Sequence, residues 1–430
     1  MARNGTETVL LQPRQYARYP GKLLLLPLLP VRAPVKPLPI EIWRDIFFFA
    51  ATGSGSEATA WPLSYLMICK SLKDIAQPSL YSRVTFHSIE TLEKFYRRLF
   101  TSDQNWDSIR RIPYSTPGRW VQVIDMSNLR TKQVLQLDSI LTHLFPLIPF
   151  LQRFSINPSI TLSRRAVLSL AQREGAINLR SLEGLQYTCP ISPTPDEDPF
   201  VQLLCHCPNI EELDITGQGM DQTDLELTDD DLHSLTFDTN SFTPLNLPKL
   251  RTLTLLSMHH SPLMLALLHS PLPALTKLTL TPYDDIPFPI SLSSQFIVTH
   301  GLNLRSLLLY TPKSWPTRLH PSPTDLLSSC PKLRHLSLEK PLPQLESFET
   351  HPLQLLSIPR PSLDFWSTLE RLFPRLPHLH VLRARDVKKL QKGLSSRAQE
   401  AGLQGEVQVW KRRLLRRGVR VLDAEWNEFD

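Results

Sequence analysis

Three places in the 430-residue sequence gather side chains able to do chemistry. Cys205-His206-Cys207 puts three potential zinc ligands in a row. A structural zinc needs about four ligands at workable spacing, and no second Cys/His pair stands nearby, so these cysteines are read as structural and no metal is expected. Asp221 to Asp231 is acidic but lacks the glycine a calcium loop needs at its sharp turn; Thr228 followed by Asp229 to Asp231 reads as a helix cap. His259-His260 follows an apolar alternating run, where loop residues often carry function, yet no nucleophile or carboxylate is paired with it. There is no glycine-rich phosphate loop and no Gly-x-Ser-x-Gly elbow, so the expectation is a protein that is not an enzyme and uses no cofactor.

The elements that would position side chains are marked by proline. The chain has 39 prolines but only 14 glycines, and 41% of its residues are hydrophobic. This is a composition that folds around a core and is punctuated between short elements. The recurring unit is Pro-x-Leu-x-x-Leu-x-Leu, with copies starting at Pro208, Pro248, Pro273 and Pro331 and looser ones at Val121, Leu151, Leu179, Leu304, Leu353 and Leu379. In each copy the last two leucines, such as Leu253 and Leu255, lie two apart and share one side of a strand, while Thr252 and Thr254 share the other. One strand cannot bury its own leucines, but stacked copies bury one another's, giving a parallel sheet along a solenoid with helical stretches such as Ser261 to His269 on the outer side. Cys207-Pro208 and Cys330-Pro331 mark the same register.

The outward strand positions form the candidate face for a partner: Glu212, Asp214, Thr252, Thr254, Lys277, Thr279, His335, Ser337, Arg383 and Arg385. Acid comes early along this face and base late. A second basic group near the C-terminus, Lys388, Lys389, Lys392, Lys411, Arg412, Arg413, Arg416 and Arg417, is read as a solvated helix face, with nucleic-acid contact as the competing reading. Five scattered cysteines do not make a disulfide framework, which points to cytosol or nucleus. The apolar run Leu23 to Val31 is broken by Pro27 and Pro30 and is too short for a membrane span, so residues 1–36 are read as a loosely packed lead-in and no membrane is expected.

At Leu38 the pattern turns helical. Pro39 suits a first turn, and Ile42, Ile46 and Phe49 recur at helical spacing, as do Trp43, Phe47 and Ala50, so the helix is apolar around most of its circumference. A second helix carries Ile68, Leu72, Ile75 and Ala76 on one face, with Pro78 expected to end it, and Leu80 to Phe86 alternates like a strand. Leu38, Pro39, Glu41, Ile42, Ile46 and Phe47, followed by Cys69, Leu72, Ile75, Ala76, Pro78, Leu80 and Tyr81, resemble the pattern of an F-box. The stretch from Thr52 to Ala60 is longer than a compact F-box has between its helices.

That resemblance implies docking on the Skp adaptor of an SCF cullin-RING ubiquitin ligase, through Leu38, Pro39, Ile42, Trp43, Ile46, Phe47, Leu72, Ile75, Pro78 and Leu80. The repeats resemble the irregular leucine-rich repeats that accompany F-boxes, although the asparagine usually found after each strand is replaced by Thr216, Ser257, Thr281, Tyr310 and Glu339. The expected architecture is therefore an α/β repeat protein: an N-terminal helical F-box over 37–82, then over 83–430 an irregular leucine-rich-repeat solenoid with its parallel β-sheet on the concave face and a basic helical segment at the end. The expected function is a substrate adaptor that holds an unknown target protein for ubiquitination; the alternative is a stand-alone interaction scaffold without ligase docking.

Overall fold

A computed structural model of the chain describes residues 38–52, 70–105, 117–188, 197–218, 244–258, 261–282, 292–312, 322–387 and 407–428. The lead-in 1–36, Cys69, the acidic run Asp221 to Asp231, His259-His260 and Lys388, Lys389 and Lys392 fall outside these residues. The chain divides into two compact units, Met1–Ser79 and Leu80–Asp430.

In the first unit, α1 (Ile40–Thr52) starts directly after Pro39, whose carbonyl accepts from the Ile42 and Trp43 amides at 3.1 and 3.2 Å. Proline's fixed φ and missing N–H suit this position. The second helix, α2 (Lys70–Ser82), begins in this unit, ends in the next and runs through Pro78, where the sequence predicts its end. Proline removes only its own N–H, and the helix continues one further turn, to where the Ser82 carbonyl accepts the Gln122 amide at 2.9 Å. The expected strand from Leu80 to Phe86 is thereby shortened to three residues.

The second unit is one twelve-stranded, all-parallel sheet whose strands lie side by side in chain order. They are β1 (Arg83–Thr85), β2 (Val123–Met126), β3 (Arg153–Ile156), β4 (Ser181–Tyr187), β5 (Glu212–Gly217) and β6 (Thr252–Leu256). Then come β7 (Lys277–Leu280), β8 (Ser306–Leu309), β9 (His335–Ser337), β10 (Leu355–Ile358), β11 (Val381–Ala384) and β12 (Arg420–Leu422). Between them run α3 (Ile89–Gln104), α4 (Val134–Leu144), α5 (Arg164–Gln172) and α6 (Pro199–His206). In the later repeats α7 (Pro262–Leu268), α8 (Leu292–His300), α9 (Leu326–Ser329), α10 (Leu363–Leu372) and a final helix α11 over 407–415 take the same place. This is a leucine-rich-repeat-like solenoid, and the leucines explain it. Leu213, Leu253, Leu278, Leu307, Leu336, Leu356 and Leu382 are register partners from strand to strand, and all are buried in one continuous core.

Most repeats begin with a tight turn whose first residue is buried and whose fourth closes it. The amides of Leu151, Ile210, Leu250, Leu275, Leu304, Leu333 and Leu379 donate to the carbonyls of Ile148, Cys207, Leu247, Leu272, Gly301, Cys330 and Leu376. Cys207 and Cys330 thus occupy the place of a core leucine, and burial pushes both thiols up to about 12. Ahead of β10 the pattern differs: the buried His351 stands four residues before the strand, its amide donating to the Arg375 carbonyl at 2.8 Å and its Nε2 2.9 Å from the Cys330 carbonyl. At Gly301 a β-carbon would stand 2.3 Å from the Ser329 carbonyl oxygen, which forbids any side chain.

Asparagines stitch neighbouring turns together ahead of the strands: Asn178, Asn209 and Asn303 donate through Nδ2 to the carbonyls of Pro149, Ile177 and Pro273. Asn157 does stand after a strand, β3, and its Oδ1 accepts from the Ser159 amide at 3.0 Å, so the post-strand asparagine is not wholly missing. Helix starts are fixed by Ser163, Asp198, Ser261 and Ser362 as N-caps. One irregularity bends the sheet. A bulge in β4 carries Gly184 at φ +72°, where a β-carbon would meet the Ile156 carbonyl oxygen at 2.0 Å.

Candidate docking and recognition surfaces

The described residues matching the F-box pattern fall on α1 and α2 and just before α1. Ile42, Ile46 and Phe49 follow the i, i+4, i+7 spacing and are 44, 43 and 69% exposed, continuing an exposed Leu38 and Pro39. Trp43 is half-buried, as are Pro78 and Leu80, and Ala76 is fully buried. The side chains of Phe47, Leu72 and Ile75 lie outside the described ones. A folded helix keeps such a stripe in water only against the hydrophobic effect, and contiguous exposed apolar surface commonly marks an interface.

The candidate partner face lies on the second unit's sheet. Glu212, Thr252, Lys277 and His335 stand in one row, with Ser306 between the last two. Asp214, Thr254, Thr279, Ser337 and Arg383 stand in the next, joined by Leu308 and Ser357. Arg385 follows β11 and belongs to a third row.

At the acidic end Arg153 lies 3.8 Å from Glu183 and 3.6 Å from Glu212, and Ser181 Oγ donates to both carboxylates. Asp214 Oδ1 is buried with no side-chain partner, and burial, then the nearby Glu183 charge, raises its pKa.

The basic end is tied internally. Arg385 reaches back over two strands, donating to the carbonyls of Leu309 at 3.2 Å and Leu338 at 2.8 Å and to Glu339 Oε2 at 2.9 Å. Arg383 donates to the Asp423 and Ala424 carbonyls and carries the Trp426 ring 4.1 Å from its guanidinium carbon. His335 spans its neighbours, its ring nitrogens 3.2 Å from Ser306 Oγ and 3.3 Å from Ser357 Oγ. Burial, then the cations Arg383, Lys277 and Arg385, push its pKa down to about 4, so the ring is neutral at pH 7.

Ser337 corrects the expectation of an open position: its side chain is 0% exposed. Strand alternation assigns a side chain to a face, but long side chains from other repeats can cover it, and Arg385 reaches the carbonyls of Leu309, at the end of β8, and Leu338, just after β9. Glu183, Arg153, Ser306, Leu308 and Ser357 also belong to this face, and the same alternation in the looser copies carries their signal.

Elsewhere, Cys205 and His206 are exposed while Cys207 is buried. Among the described residues no group of three or more His, Cys, Asp or Glu is arranged to hold a metal, and no helix is long and apolar enough to cross a membrane. The basic segment near the C-terminus is partly structural. Trp410 is buried edge-on to Trp366 at 5.0 Å, Arg413 lies over Trp366, and Arg417 lies over Phe373 and 3.4 Å from Glu370. That segment also continues into β12, a strand the sequence reading had not separated from the helix.

The sequence matches no family model and no curated protein. Among solved structures, it is similar to a chain in the crystal structure of the Rad7 and Elc1 complex in yeast, with 13% identity over 84% of this chain and 91% of that one and a TM-score of 0.32.

Proposed function

We propose that this protein is a substrate-recognition adaptor of an SCF-type ubiquitin ligase, docking on the Skp adaptor through the start of α1 and holding a target protein on its repeat unit. The observation that carries the reading is the exposed stripe of Leu38, Ile42 and Ile46 within a segment whose residues resemble an F-box. An apolar helix face of this kind stabilises an interface once a partner removes it from water, at about 25 cal/mol per Å² of apolar surface covered. Among its described residues the repeat unit supplies a broad polar face, which suits a role in which other subunits carry out ubiquitin transfer and proximity raises the effective concentration of the target. Its place of action is cytosol or nucleus.

The test is co-expression with the Skp adaptor, comparing the wild type with a double variant, Pro39→Ala with Ile42→Glu. The adaptor is expected to co-purify with the wild type and not with the variant. A folded wild-type chain that retains no adaptor would leave the protein as a stand-alone repeat scaffold.

A further inference from the structure

The leading edge of the sheet, where each strand begins, carries a second charge pattern, which shares Lys277 with the strand face. Immediately before or at the start of β6, β7, β8, β9, β11 and β12 stand Arg251, Lys277, Arg305, Arg334, His380 and Arg420, all exposed. Their register is fixed by the backbone. Each carbonyl of Arg251, Thr276, Arg305, Arg334 and Gln354 accepts the two amides that open the next strand, at 2.8 to 3.2 Å, so these residues form successive rungs of one ladder.

The two halves of this edge differ. In the first, the cations are neutralised: Arg153 faces Glu183 and Glu212, and Arg180 lies 3.9 Å from Glu211. In the second, the leading segments 248–252, 273–277, 302–306, 331–335, 352–355 and 377–381 contain no Asp or Glu. Among the described residues no carboxylate lies within ion-pair distance of Arg251, Lys277, Arg305 or Arg334. Unpaired like charges held side by side repel one another, and an anionic partner relieves that repulsion.

We propose that this edge, from β6 to β12, binds an acidic, extended segment of a partner protein. The inference rests on the reading of the repeat unit as the part that holds a target, and it names the target's chemistry. A polypeptide suits the edge better than a nucleic acid because the same leading segments contain no Phe, Tyr or Trp on which a base could stack. The chain itself supplies a precedent at the last rung: Glu428, in the turn after β12, sits 3.2 Å from Arg420. The six intervals from β6 to β12, at roughly 4.8 Å each, span about 29 Å, the length of about nine extended residues.

The experiment is fluorescence anisotropy of the full chain with a labelled 12-residue peptide of alternating glutamate and serine, beside an alternating glutamine and serine peptide and a 12-nucleotide oligothymidylate. The glutamate peptide is expected to bind, to weaken about tenfold or more between low and high salt, and to weaken at least tenfold again in the Arg251→Glu, Arg305→Glu, Arg334→Glu variant. A control with equal charge reversal elsewhere, Arg98→Glu, Arg165→Glu, Arg371→Glu, should bind as the wild type does once salt is high enough to screen net charge. Equal loss in both variants, tighter binding of oligothymidylate through the same arginines, or no binding of the glutamate peptide would overturn the proposal. Skp-adaptor retention is measured on the same preparations: loss of peptide binding with the adaptor still held isolates the edge, whereas peptide binding without adaptor retention overturns the ligase reading and leaves the edge standing.

Discussion

The two units treat their apolar side chains in opposite ways. In the repeat unit, nearly every leucine of the recurring motif is buried in one core, and most of the polar residues between them face the sheet's other side. In the N-terminal unit, α1 keeps Ile42, Ile46 and Phe49 in solvent at helical spacing. The contrast teaches where to look for stability and where for association. A buried leucine is spent on the fold of its own chain, and an exposed isoleucine stripe is available to another.

Substitutions should divide along the same line. The largest loss is expected in the repeat core: Leu253→Ala should lower unfolding stability by about 2–5 kcal/mol in urea titrations, and Gly184→Ala should be comparably severe because its β-carbon has no room at a positive φ. Next comes Arg173→Ala, at about 1–3 kcal/mol, because the buried Arg173 guanidinium donates to the Ile148 and Leu151 carbonyls at 2.9 Å each and its loss takes from the Leu151 carbonyl its donor.

A smaller, pH-dependent effect is expected at His335. Its folded pKa of about 4 lies below its unfolded value, so the unfolded chain takes up the proton first and stability falls as pH drops from about 6.5 toward 4. His335→Gln should flatten that part of the thermal-melting profile. Asp214→Asn should give a slight rise in melting temperature at pH 7. The carboxylate's raised pKa means its charge is disfavoured in the folded state, and the gain should vanish in acid once the wild-type group is protonated. Ile42→Glu is predicted to change stability by no more than about 0.5 kcal/mol. A large loss there would erase the contrast, since it would make the stripe part of the fold.

Much of the repeat unit was legible because its physics is local and periodic. Leu253 and Leu255 on one side and Thr252 and Thr254 on the other follow from strand alternation alone, and every copy named from the motif became a strand. Four things were not legible. β12 was hidden because Val419-Arg420-Val421-Leu422 follows a basic run that dominates its composition. Ser337 is buried although it alternates to the outward side, and Arg385, which bonds the neighbouring Leu338 carbonyl, lies two strands along the sheet and 48 residues along the chain. Pro78 within α2 shows local propensity giving way, since a single missing N–H did not stop the helix. The outward row at Glu212, Lys277 and His335 could be read from the sequence; the internal bonds that hold Arg383 and Arg385 could not, because they run to backbone carbonyls from other repeats.

The central claim is that α1 is an interface, and hydrogen–deuterium exchange on the full chain with and without the Skp adaptor tests it most directly. The account predicts that the adaptor slows exchange in residues 40–52 and leaves the strands β6 to β11 unchanged. Unaltered exchange in residues 40–52 at saturating adaptor, in a chain whose repeat unit is folded, would contradict it.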